Sequence, residues 1–205
     1  MRAGIRWLTA IVVIGVCGFT VVRGLGMVQF SLARARIDSA QQRAEFVNTW
    51  SVDPDVAARA LQADLTYQID PSDQKATDHR LQTLSALASI EPLSSSNWLG
   101  LSTLQLITDQ PMEQVFDSLE LSMLTGPHEG DVIQNRRFFG VSLWERLSPD
   151  LKRRVAGDAA VGELPYNDKF RAFVSTQPGQ VRNELGEALL AAGLSPKEVE
   201  KRLGN

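Results

Sequence analysis

One cysteine in 205 residues, Cys17, rules out a disulfide within the chain. Two histidines, His79 and His128, have no second histidine or cysteine at ligand spacing, so each reads as solvated and no metal site is expected. A phosphate-binding glycine loop and a dinucleotide glycine fingerprint are both missing. Ser72 to Lys75 spells S-x-x-K, the serine–lysine spacing of penicillin-recognising enzymes. Its companions S-D-N and K-T-G are absent, and the stretch follows Pro71 in a polar loop. Glu198 and Glu200 are two apart on a helix and do not face each other, as on a solvated face. No catalytic residue and no cofactor is assigned, and the chain is not expected to be an enzyme.

Acid is absent from the start of the chain. All 24 acidic residues follow residue 37, while five of the 21 basic ones precede it. The remaining body holds 16 basic against 24 acidic groups, a formal balance of −8. That balance argues against nucleic acid, which needs a basic face to release counterions. It also holds the body off an anionic lipid surface, whatever anchors it.

What is present at the start is apolar. Between Arg6 and Arg23 lie sixteen uncharged residues, WLTAIVVIGVCGFTVV. A bilayer core is roughly 30 Å thick and takes about 20 helical residues. Gly24 to Ala33 is also uncharged, and the Arg23 stem can snorkel to the headgroups. A membrane span over residues 7–28 is therefore expected. Its apolar positions are Trp7, Leu8, Ile11, Val12, Val13, Ile14, Val16, Phe19, Val21 and Val22, with Trp7 as the interfacial anchor.

The competing reading is a cleaved signal peptide, but cleavage wants small residues just after the apolar run. Val21, Val22 and Arg23 stand there, and the nearest A-x-A, Ala33 to Ala35, comes too late. Val16 before Cys17 argues against a lipoprotein. An uncleaved anchor is favoured, although the flanking arginines are nearly balanced across the span. The expected topology is single-pass in the inner (cytoplasmic) membrane, with the amino terminus inside and residues 37–205 in the periplasm.

Alternating β-branched runs are lacking after the anchor, whereas leucine and alanine recur at helical spacing. The expected fold is all-α. Helices are expected at 53–68, 78–90, 97–108, 111–124, 131–147 and 149–161, each bounded by a cap, a proline or a glycine. In the fifth, Val132, Phe139, Leu143 and Leu147 form the apolar stripe. A last helix opens with a capping box, Ser195 and Glu198, around Pro196. Segments 162–167 and 177–180 read as looser joints. Three regions follow: 1–36, anchor and juxtamembrane segment; 37–161, a helical-repeat-like domain; 162–205, C-terminal helices that cap the array or are semi-detached.

Three helices end alike. Residues 59–71 (RALQADLTYQIDP), 80–92 (RLQTLSALASIEP) and 115–127 (VFDSLELSMLTGP) each run small or apolar residues into an X-Pro stop. Pro92 and Pro127 are 35 residues apart, and Trp98, Leu101 and small residues open the helix between them. Small positions such as Gly100, Ser102 and Ser122 would let helices approach closely, while Trp98, Leu101 and Leu119 fill the groove between neighbours. Unit 93–127 resembles the tetratricopeptide repeat, a 34-residue helical hairpin. It departs from the family signature, with Ser102 for the glycine and Gln105 for the aromatic, and the stops at Pro71 and Pro92 are only 21 residues apart. The resemblance implies a protein-binding scaffold, a short helical-hairpin array without chemistry of its own.

Candidate partner-binding residues are Asn97, Gln105 and Asp109 on the concave side of that unit. Arg136 and Arg137 are added from the one basic–aromatic cluster, Arg136 to Phe139. Such a cluster suits a glycan- or lipid-binding module or an enzyme accessory subunit. Alternatively Phe139 is core and the arginines pair with Glu129 or Asp131. The expected partners are proteins, membrane-associated like the chain itself, in an envelope assembly such as polysaccharide biosynthesis or export. That setting rests on resemblance to envelope repeat proteins.

Overall fold

The computed structural model describes Ala58, Gln62, residues 73–161 and residues 167–204. The chain divides into two compact units, Met1–Gln68 and Ile69–Asn205. In the first, Ala58 is helical and buried and Gln62 is helical and exposed. The expected span, from Trp7 to Val22 and on to residue 28, lies outside the described residues. Among the described residues no helix is long and apolar enough to cross a membrane.

The second unit is all-helical among the described residues. Its helices are α1 (Gln74–Ile90), α2 (Ser95–Ile107), α3 (Met112–Thr125), α4 (Gly130–Ser142), α5 (Pro149–Ala160), α6 (Asn167–Ser175), α7 (Gly179–Ala191) and α8 (Pro196–Leu203). A 3-10 turn, Trp144–Arg146, links α4 to α5.

Local chemistry explains the ends. Asp73 Oδ1 accepts from the Ala76 amide at 3.2 Å, so α1 begins at Gln74, one turn before the expected Asp78. Ser148 Oγ accepts from the Leu151 amide at 3.2 Å, with Pro149 opening α5 as expected. The capping box at α8 forms: Ser195 N donates to Glu198 Oε2 at 2.7 Å, and Glu198 N to Ser195 Oγ at 3.4 Å. The helix expected over 131–147 is shorter. The amide of Leu143 turns back to Gly140 O at 3.1 Å, and the chain tightens into the 3-10 turn that buries Trp144.

Serines set the closest helix pair. Ser102 Oγ donates to Val115 O at 2.7 Å and Ser122 Oγ to Ser95 O at 2.8 Å, tying α2 to α3 in antiparallel register. Ser95, Ser102 and Ser122 are fully buried; the hydroxyls of Ser102 and Ser122 are satisfied by carbonyls of the neighbouring helix, and that of Ser95 by the Glu129 carboxylate. Leu119 fills the adjoining core, whereas Trp98 stays half-buried and donates Nε1 to Pro92 O at 2.8 Å.

One apolar cluster runs from α2 to α8, including Leu119, Trp144, Val155, Phe170, Leu185 and Leu203. The C-terminal helices, expected either as caps or as semi-detached elements, contribute side chains to that common core. Helix α5 packs on α4 and α7, and α8 packs on α6 and α7.

Two glycines report the local fit. A Cβ at Gly140 would lie 2.4 Å from Val155 Cγ2, so α4 and α5 cross where only glycine fits. Gly157, inside α5, is exposed and has nothing within 4 Å of its ideal Cβ. Gly140→Ala is expected to lower stability in urea titration by about 1–3 kcal/mol through overpacking. Gly157→Ala should raise it by about 0.4–1 kcal/mol by removing backbone freedom from the unfolded chain. Equal effects at the two positions would refute the packing assignment.

Candidate functional site

Arg136 and Arg137 stand side by side on α4, and neither has exposed surface. The buried stripe of α4 is Val132, Ile133, Arg136, Arg137, Gly140 and Val141, with Phe139 only half-buried. Of the expected stripe, Val132, Leu143 and Leu147 are buried and Phe139 packs half-buried against the core, but the buried face of α4 is centred about a quarter-turn away, and the arginines face inward.

Arg136 makes four hydrogen bonds. Nε donates to Asp158 Oδ2 at 2.8 Å and Nη2 to Asp158 Oδ1 at 3.0 Å, a bidentate fork across to α5. Nη1 donates to Ser122 O at 2.6 Å and Gly126 O at 3.0 Å. Those carbonyls end α3, so the guanidinium also caps that helix with a cation where its dipole is negative. Its acid is therefore Asp158, 22 residues away, and neither Glu129 nor Asp131. Glu129 instead accepts from Ser95 Oγ. Burial sets the Asp158 carboxyl above its ordinary pKa, a shift that Arg136 opposes without cancelling.

Arg137 donates Nη1 to Asn167 Oδ1 at 2.8 Å. Its guanidinium lies 4.5 Å from the Phe170 ring centroid and 5.7 Å from that of Phe138. Burial, then the charge of Arg202, lowers its pKa to about 10, still a cation at neutral pH. Arg202 in turn donates to Val161 O, Ala159 O and Ala160 O at 2.7, 3.1 and 3.3 Å, capping α5 as Arg136 caps α3.

The other candidates lie along α2 and beyond its end. Asn97 is half-buried and donates Nδ2 to Glu91 Oε2 at 3.0 Å. Gln105 is buried, and its Oε1 has no hydrogen-bond partner. Asp109 is exposed and takes φ 52°, the left-handed conformation that lets the chain leave α2. From Asn97 to Asp109 is about 18 Å at helical rise. The five residues do not converge on one site.

A concave feature among the described residues lies elsewhere. An open, mainly apolar groove of about 390 Å³ runs over α1, α2 and α4, lined by Leu84, Leu99, Gly100, Leu104, Ile107 and Val132 among others. Neither Asn97 nor Gln105 borders it; they lie on another face of α2. The signal in the sequence was the series Ser96, Leu99/Gly100, Thr103/Leu104, Ile107, three turns of small or apolar residues on one helical face. No group of three or more His, Cys, Asp or Glu side chains among the described residues could hold a metal ion.

A second charged cluster is peripheral. Glu184 on α7 accepts from Lys152 Nζ at 2.6 Å, Gln180 Nε2 at 2.9 Å and Trp144 Nε1 at 3.1 Å. The Lys152 bond foremost, then those from Gln180 and Trp144, hold its carboxyl at about 2.

Comparison of the chain with family profiles, with curated proteins and with solved structures returns no match.

Removing one partner of the buried pair leaves the other charge stranded, so Asp158→Ala and Arg136→Ala should each cost about 3–5 kcal/mol in denaturant titration. Arg136→Met combined with Asp158→Leu should cost less than either single change. Additive losses would show that the pair is not coupled. The Glu184 carboxyl, depressed on folding, contributes stability above its ordinary value of 4.5, and this is lost as pH falls towards 2. Glu184→Gln should therefore destabilise at pH 7 and match the unaltered chain near pH 2. A constant difference across that window would refute the role of its charge.

Proposed function

We propose that this chain is a membrane-anchored helical scaffold that binds protein partners within a cell-envelope assembly, with no catalysis of its own. The observation carrying this reading is the open apolar groove across α1, α2 and α4. Ile107 at its edge is 61% exposed and extends the apolar surface of the groove into solvent. Arg136, Asp158, Arg202 and Glu184 meanwhile hold helices together. A reaction site would need such groups held towards a substrate.

The anchor belongs to this proposal through the uncharged run 7–22. Tethering to the bilayer raises the encounter rate with other membrane-bound proteins without demanding high intrinsic affinity. The hairpin α2–α3 is the unit that carries the tetratricopeptide resemblance, and a scaffold role needs no longer array. A periplasmic body, in polysaccharide biosynthesis or export, is the setting proposed for it. A glycan- or lipid-binding role for Arg136 to Phe139 is the weaker reading, because a ligand there would have to displace the bonds to Asp158 and Asn167.

The test is photocrosslinking in native membranes, with a benzoylphenylalanine placed at Ile107 and, as a control, at Arg153 on the exposed face of α5. A discrete protein adduct from position 107 and none from 153 is the expected outcome. No adduct from any exposed position of the described helices would refute the scaffold role. Replacing residues 7–28 with an unrelated span should leave the adduct unchanged. Its loss would assign the contact to the membrane helix instead.

A further inference from the structure

We infer that the α1–α2–α4 groove receives a basic amphipathic helix of a protein partner. The inference rests on the scaffold reading and adds the chemistry of the occupant.

Shape selects a helix. The stretch of α2 that lines the groove, Ser96 to Ile107, is about 16 Å long at helical rise, three turns. That length matches a partner helix presenting apolar anchors at i, i+3 or i+4, and i+7, the usual way an amphipathic helix enters an apolar groove. The walls are Leu84, Leu99, Leu104 and Val132, and at Gly100 the bare backbone leaves room between them. A Cβ built there would lie 3.5 Å from Leu84 Cδ2, ordinary contact, so a longer side chain would occupy the groove itself. The polar lining, Ser96, Thr103 and Asn135, is uncharged and suits passage of a helix edge. A strand has no sheet edge to join among the described residues.

Charge selects the sign of the occupant. Residues 73–131, which build α1 to α3, carry two basic side chains, Lys75 and Arg80, against nine acidic ones. Residues 132–205 carry twelve basic against nine acidic. The chain is thus electrically divided, and most of the groove's wall belongs to the acidic part. Lysines or arginines flanking the anchors of an incoming helix would be drawn to that field, and glutamates repelled. The same field disfavours anionic lipid as the occupant.

The experiment uses the full chain in zwitterionic nanodiscs with benzoylphenylalanine at Thr103. Two 16-residue probes share leucines at helical anchor spacing, one with lysine at every other position and the other with glutamate. The lysine peptide is expected to crosslink at least tenfold more than the glutamate peptide at low salt. The preference should shrink at 0.5 M salt. Gly100→Leu, which fills the groove, should abolish the adduct with helicity unchanged. Ile107→Lys, a change at an exposed position, should weaken it without burdening the fold.

Equal crosslinking of the two peptides, or an adduct indifferent to both substitutions, overturns the inference. An adduct between two copies of the chain in the absence of peptide overturns it as well, and makes the occupant a second copy. If the native-membrane adduct at Ile107 forms but maps to an acidic or non-helical segment, this inference fails and the scaffold reading stands. If no native adduct forms at any described surface, the scaffold reading itself fails.

Discussion

A guanidinium without exposed surface must find acceptors in the protein for what it loses from water, and Arg136 imposes that condition on three helices at once. Its fork fixes α4 against α5 through Asp158, and its third nitrogen draws in the last carbonyls of α3. Helix α3 is in turn locked to α2 by Ser122 and Ser102. A continuous polar path, Glu129–Ser95–Ser122–Arg136–Asp158, therefore threads a core otherwise made of leucine, valine and aromatic side chains. Such a path is rewarding only when every member is satisfied, because each orphaned group would cost the full desolvation penalty. Lysine could not substitute for Arg136: a point ammonium cannot present a planar fork to the carboxylate and reach two carbonyls on the other side.

Helix class and most helix ends were legible in the sequence because they are local. Ser148 and Ser195 act within three residues of themselves, and Pro149 and Pro196 stand at the first helical positions; Asp73 acts as locally, yet its cap was missed and the helix was expected one turn late. The orientation of α4 was not legible. Arg136–Arg137–Phe138–Phe139 has the composition of a surface patch, since arginine is rarely fully buried unless paired. Its pairing partner stands on the next helix, so no scan within α4 would find it. Glu129 and Asp131 were the near acids, and proximity in sequence was a poor guide. The positions Val132, Ile133, Arg136, Arg137, Gly140 and Val141 do recur at helical spacing once arginine is admitted to a buried stripe. Gly140, which permits α5 to approach, was the one further clue.

The groove was partly legible. Gly100 was recognised as a small position that brings helices together, and the helix brought close is α1, through Leu84. The polar residues chosen beside it, Asn97, Gln105 and Asp109, answered a different question. Polar side chains on a helix attract notice as ligands, yet Asn97 holds Glu91 and Asp109 supplies a left-handed exit from α2. An apolar contact surface carries no such flag in sequence, because its residues look like core until the neighbouring helices fail to cover them. Only the placement of α1 and α4 leaves Ile107 in water while Leu99 and Leu104, on the same helix, are buried.

The two arginine caps also bear on how the charge of this protein should be weighed. Arg136 and Arg202 are spent on the carboxyl ends of α3 and α5, and Arg137 is enclosed among Phe138, Phe170 and Asn167. These cations are counted in the formal balance, but Arg136 and Arg137 have no surface from which to act on an approaching partner. Of the nine acids over residues 73–131, by contrast, none is fully buried. The external field of α1 to α3 is therefore set by carboxylates, while over residues 132–205 the buried Arg136 is offset by the buried Asp158 and Arg137 alone is withdrawn from the basic side. Net charge alone describes a mildly acidic chain, and among the described residues the enclosure of Arg137 withdraws one further cation from what a partner meets. The apolar groove of α1, α2 and α4 is thus bordered mostly by the part of the chain, residues 73–131, in which acids outnumber bases nine to two.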